Sequence, residues 1–99
     1  MTDAAGNTVP GTLKRTLAIG NKRGLHARAA AKFVRTAGQF DAAVRVSFKG
    51  QDVSGLSIMG LMMLAAGIGS SIELFCSGRQ ALEAMSALSA LVEGKFGED

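Results

Sequence analysis

The sequence predicts an α+β domain, a two-layer sandwich in which helices cover one face of a partly antiparallel sheet. Three observations carry that expectation. Apolar residues alternate at Leu13–Ile19, Ala42–Phe48 and Ser71–Ser77, the period of half-buried strands. Helix-forming stretches separate and follow those runs, so the order reads strand, helix, strand, strand, helix, strand, helix. Lys49-Gly50 is a turn joining two strands directly, which makes part of the sheet antiparallel.

Met1–Thr12 mixes Gly, Asn, Thr, Asp and Pro without a period and is expected to be a flexible tail ahead of one domain over 13–99. In the first strand Leu13, Leu17 and Ile19 share a face that Arg15 interrupts. Gly20-Asn21-Lys22-Arg23-Gly24 is a loop. The alanine-rich run Ala27–Ala37 is strongly helix-forming. Ala30, Phe33, Val34 and Ala37 form its apolar stripe, and Arg35 with Gly38 suits a helix C-terminus. In the second strand Val44, Val46 and Phe48 point one way and Ala43, Arg45 and Ser47 the other. Gln51–Ser54 returns as its short partner. A second helix is expected over Ser57–Ala66, with Ser57 as N-cap and Gly67 as stop. Ser71–Ser77 puts Ile72, Leu74 and Cys76 on one face. The last helix, Arg79–Glu93, carries Leu82, Met85, Leu88, Leu91 and Val92, with Ser77 and Gln80 as a capping box. Apolar side chains on one strand face leave the other face of the sheet open to water.

Composition narrows the function. With 99 residues, 47% hydrophobic and 19% charged, the chain has room for one core and is too apolar for disorder. No apolar run approaches the roughly 20 residues of a membrane span. The first ten residues lack a secretory pattern, so the expectation is a soluble, cytoplasmic domain. A single cysteine excludes an internal disulfide, and no Cys/His cluster offers a metal cage.

The one histidine, His26, sits at the start of the first helix. A helix N-terminus presents unpaired N–H groups and a partial positive charge, which suits phosphate. Arg28 adds a guanidinium that can grip phosphate oxygens in a fork. A neutral imidazole is a nucleophile able to accept a phosphoryl group. The plain alternative is a histidine that caps the helix or sits in solvent. No partner base is visible in the sequence pattern. The second helix, Ser57-Ile58-Met59-Gly60-Leu61-Met62-Met63, is apolar all round. Some of Ile58, Met59, Met62 and Met63 must then stay exposed as an adaptable docking patch. Lys22, Arg23, Arg28, Lys32 and Arg35 form a basic cluster, but the only aromatics are five Phe and no RNA-type motif accompanies them.

Gly24-Leu25-His26-Ala27-Arg28 with Ala30-Ala31-Lys32-Phe33-Val34 resembles the active-site signature of the histidine-containing phosphocarrier family, HPr. Ser57-Ile58-Met59-Gly60-Leu61-Met62 resembles that family's regulatory serine segment, and the tail to Phe96-Gly97-Glu98 also fits. The resemblance implies an open-faced β-sandwich of four antiparallel strands with three helices on one face. It implies a carrier in the bacterial phosphoenolpyruvate-dependent phosphotransferase system, itself transiently phosphorylated and not an enzyme. Enzyme I would load Nδ1 of His26, Arg28 would stabilise the phosphate, and enzyme IIA domains would unload it. Ser57 would be modified by an HPr kinase/phosphorylase. Docking surfaces of the family map onto Ala27, Arg28, Ala31, Ile58, Met59 and Met62. No cofactor, metal, nucleic acid or membrane is implied, and a monomer is the simplest state. One departure is plain: Ala29 stands where the family usually has Pro. Two other readings compete with the carrier, a regulatory interaction module centred on Ser57 and a small basic nucleic-acid binder.

Overall fold

The computed structural model describes residues 11–98. The tail expected over 1–12 therefore lies outside the described residues except for Gly11 and Thr12. Four strands, β1 (Leu13–Ala18), β2 (Ala43–Phe48), β3 (Gln51–Ser54) and β4 (Ser71–Ser77), form one sheet in the order β1-β4-β2-β3. Every neighbouring pair is antiparallel. Three helices, α1 (Ala27–Ala37), α2 (Ile58–Met63) and α3 (Ala81–Glu93), and a closing 3-10 turn, Lys95–Gly97, complete the chain. This is the open-faced α+β sandwich that the sequence predicts.

The core lies between the sheet and the helices. Val44 and Val46 of β2 and Ile72, Leu74 and Cys76 of β4 face it, and Leu17 and Ile19 bring the β1 side in. Phe33 of α1 and Phe96 of the closing turn are fully buried there, each contributing on the order of 2–3 kcal/mol by leaving water. Lys49 and Gly50, at φ 49° and 80°, make the tight β2–β3 turn, whose twist suits a two-residue hairpin.

The opposite sheet face is less bare than alternation alone implies. Phe75 points to it yet is only 5% exposed. The Arg45 guanidinium lies 4.1 Å from its ring centroid and Lys14 Nζ lies 5.8 Å away, so two cations roof an aromatic face. Those cations are paired in turn with Asp52 and Glu73.

Several local expectations are corrected. Helix α2 ends at Met63 because Leu64 caps it and Ala65 turns left-handed, at φ 55°. That turn buries Ala66, whose carbonyl accepts from Leu25 N–H at 3.0 Å. Helix α3 starts at Ala81, and Gln80 makes no capping box. Its Oε1 instead accepts from Asp41 N–H at 2.7 Å, holding the approach to β2. The buried stripe of α3 runs Ala81, Ala84, Met85, Leu88, Val92. Leu82 lies one residue off that stripe, about 100° around the helix, and is exposed. In α1 Val34 of the expected stripe is only half-buried, and Ala29 takes a fully buried place.

Candidate functional site

The loop ahead of α1 is set by long-range backbone contacts. Gly24 has φ +61°, and a Cβ there would stand 2.3 Å from Ala66 O. Only glycine allows the loop to press so close to the segment that follows α2. Gly24 N–H donates to Asn21 O at 3.2 Å, and His26 then enters as the N-cap residue with extended backbone, φ −76° and ψ 178°.

His26 occupies the cap position without capping: its side chain makes no bond to the helix. The first intrahelical bond runs from Ala30 N–H to His26 O at 2.9 Å. The amides of Ala27, Arg28 and Ala29 precede it and have no backbone acceptor among the described residues. They are free to meet an anion, with the dipole of an 11-residue helix behind them. Ala29 thus supplies an N–H that a proline would lack.

The His26 ring lies on the carboxylate of Glu98. Nε2 stands 2.6 Å from Glu98 Oε2, with 13% and 18% of the two side chains exposed. Among the described residues Nδ1 has no hydrogen-bond partner. Glu98 Oε1 accepts from Asn21 Nδ2 at 3.0 Å, and the same nitrogen donates to Gly24 O at 2.9 Å. Asn21 is fully buried. Partial desolvation pushes the Glu98 carboxyl up, but hydrogen bonds from Asn21 and His26 and the charges of His26 and Lys32 outweigh it. The net result holds Glu98 below its ordinary value of 4.5.

Glu98 reaches this place through a strained turn. Lys95, Phe96 and Gly97 all have left-handed backbone, at φ 57°, 56° and 73°. For the first two the conformation costs roughly 1–2 kcal/mol each. Burial of the Phe96 ring holds the turn, and Lys32 Nζ donates to Phe96 O at 2.6 Å.

Beside the carboxylate, Lys22, Arg23 and Arg28 line an open cleft of about 290 Å³ with Glu98. Of the five-residue basic cluster, Lys22, Arg23, Arg28 and Arg35 are exposed, whereas Lys32 is turned to the closing turn. Ala27 is exposed and Ala31 half-buried. On α2, which packs against α1, Ile58, Met59, Met62 and Met63 are 42–72% exposed while Leu61 is buried. Ser57 is the true N-cap of α2, its Oγ accepting from Gly60 N–H at 2.9 Å.

The fold brings His26, Arg28 and the free amides together as the sequence suggests. Ser57 heads a separate helix beside the methionine patch. Asn21 and Glu98 are the members that sequence reasoning missed, and Lys32, read there as part of the basic cluster, is bonded to the closing turn instead. The sequence pattern offers His26 no carboxylate, yet one sits on its ring. Their spacing carries no local signal, since Glu98 follows His26 by 72 residues.

A chain so built has close relatives. Residues 13–94 match the family described as the PTS HPr component phosphorylation site. The phosphocarrier protein HPr of Cupriavidus necator is 52% identical over 86 residues, covering 87% of this chain and 97% of that protein. HPr of Neisseria meningitidis is 54% identical over the same shares of both chains. Among solved structures, HPr-C-His from Thermoanaerobacter tengcongensis superposes with a TM-score of 0.84 at 42% identity, covering 88% of this chain and 98% of that one.

Proposed function

The chain belongs to the HPr family, the phosphocarrier proteins of the phosphotransferase system, and from that premise we propose that His26 is the residue that carries the phosphoryl group. Phosphorylated enzyme I donates it to Nδ1, and enzyme IIA domains take it away. The observation that carries the proposal is the pairing at His26: Nε2 is engaged by Glu98 while Nδ1 is unpartnered among the described residues. The ring therefore keeps one nitrogen as nucleophile at the head of a helix whose first amides are free, with Arg28 two residues further on.

Phosphoryl transfer asks mainly for position and charge stabilisation. The Nδ1 lone pair attacks phosphorus in line as the donor's bond breaks, and that bond's electron pair leaves with the donor. Developing negative charge on the phosphoryl oxygens meets the amides of Ala27, Arg28 and Ala29 and the Arg28 guanidinium. The apolar surface of Ala27, Ala31, Ile58, Met59 and Met62 is the docking face, and methionine lets it fit several partners. The chain is a carrier and works as a monomer in the cytoplasm, with no need of nucleic acid, membrane or metal.

Ser57 adds regulation. An HPr kinase/phosphorylase modifies Oγ, placing a dianion at the start of α2 and beside the docking face. The helix tolerates that charge, whereas an acidic or apolar partner does not.

Intact-mass analysis after incubation with enzyme I and phosphoenolpyruvate tests the proposal. The expected result is one acid-labile phosphoryl group on the wild type and none on His26→Ala. A stoichiometric phosphoryl group on His26→Ala would overturn it.

A further inference from the structure

We propose that Glu98 is a positioning residue for phosphoryl transfer, fixing the His26 tautomer so that Nδ1, and not Nε2, offers the lone pair. This rests on the reading of His26 as the phosphoryl acceptor.

An ionised carboxylate only accepts hydrogen bonds. Held below its ordinary range, Glu98 is such an acceptor at neutral pH, so the nitrogen 2.6 Å from it must carry the hydrogen. In a neutral ring that leaves Nδ1 unprotonated. When Nδ1 forms its bond to phosphorus, the donor's bond breaks and its electron pair leaves with the donor. The ring keeps its Nε2 hydrogen and becomes cationic facing the carboxylate. Glu98 thus selects the nucleophile before transfer and balances the ring's charge after it.

The rest of the structure serves that placement. Asn21 is fully buried and directs Nδ2 at both Gly24 O and Glu98 Oε1. Turning its amide over would set Oδ1 against two acceptors, so its orientation is determined. Lys32 holds the carbonyl of Phe96, and Phe96 with Lys95 adopts a backbone that side chains rarely accept. Strain of this kind persists only where surroundings impose it, and it gathers at functional sites.

Two variants separate positioning from mere filling. In Glu98→Gln the side-chain oxygen must face the Asn21 donor, which turns its NH2 to His26 Nε2. Nε2 must then accept, the ring hydrogen moves to Nδ1, and the nucleophile is masked, as happens when an amide replaces a carboxylate beside a catalytic histidine. Glu98→Ala removes the partner without imposing the wrong tautomer. The isosteric variant is therefore the more damaged one. With enzyme I and phosphoenolpyruvate, the maximal transfer rate is expected to fall about tenfold in Glu98→Ala and about a hundredfold in Glu98→Gln, with KM within about twofold. Nitrogen NMR of ¹⁵N-histidine protein at neutral pH should show hydrogen on Nε2 in the wild type and on Nδ1 in Glu98→Gln. A Glu98→Gln protein that keeps the wild-type tautomer, or transfers as fast as Glu98→Ala or faster, overturns the proposal. The spectra need no phosphoryl donor. A wild type that accepts no phosphate would thus remove the carrier reading, while the tautomer assignment would still be decided by the NMR.

Discussion

Replacing Ser57 in two ways separates its work in the fold from the regulatory work proposed for it. Its Oγ accepts from Gly60 N–H at 2.9 Å and caps α2. Ser57→Ala removes that bond, a loss of about 1 kcal/mol. For 99 residues, an unfolding entropy of about 2.1 cal/mol/K per residue turns this into a Tm drop of about 5 °C. Ser57→Asp keeps an equally good cap and adds a negative charge at the positive end of the helix, so Tm should not fall. Transfer should respond in the opposite sense. A new carboxylate about 4 Å from a partner's acid is opposed by up to about 4 kcal/mol at an effective dielectric of about 20. A third of that is about tenfold in rate. Calorimetric melts and enzyme I-dependent transfer, measured on both variants, give the test. Ser57→Ala should melt lower yet transfer within about twofold of wild type. Ser57→Asp should melt no lower yet transfer at least about tenfold more slowly, chiefly through KM. If Ser57→Asp melted as low as Ser57→Ala, the capping argument would be wrong. If it transferred like wild type, the docking face would lie elsewhere.

Three further outcomes can be checked. Arg28→Ala should slow transfer by about 10- to 100-fold, the worth of a charge-assisted bond to phosphate, with Tm unchanged because the side chain is exposed; a rate within twofold of wild type would contradict its role. Glu98 has a lowered folded pKa, so its contribution to stability is present above the ordinary value of 4.5 and is lost as pH falls through the lower folded value. The Tm gap between wild type and Glu98→Ala should therefore be open at about pH 7 and closed by about pH 2, as calorimetry across pH would show. Burial pushes the Cys76 thiol up to about 11, so a thiol reagent at about pH 8 should leave the native protein untouched and label it once unfolded.

Most of the scaffold is legible in the sequence because local and global preferences agree. Helix α1 runs over Ala27–Ala37 as read, since alanine propensity, the Phe33 stripe and Gly38 all end at the same places. Strands β3 and β4 also match, β3 because the Lys49-Gly50 turn sets its start and Gly55 its end, β4 because the alternation of Ile72, Leu74 and Cys76 is unbroken. The errors fall where distant backbone decides. Ala65 and Ala66 have helix-forming side chains, but the pairing of Ala66 O with Leu25 draws them out of α2. Gln80 has a capping residue's spacing, but Asp41, 39 positions away, takes its side chain. The site divides in the same manner. His26, Arg28 and the helix start are local and readable, whereas the Asn21–Glu98–His26 chain exists only after both ends of the domain meet. Lys32 reads as a solvated charge by helical spacing and is instead spent on a carbonyl of the closing turn.

In the proposed relay a single ring nitrogen holds the phosphoryl group between two partner proteins. Phosphorus and nitrogen NMR of the ¹⁵N-histidine protein, loaded with enzyme I and phosphoenolpyruvate, addresses it directly. The expected result is one phosphorus resonance coupled to His26 Nδ1, which disappears when an enzyme IIA domain is added. Phosphorus coupled to Nε2, or bound to the oxygen of Ser57 under these conditions, would contradict it.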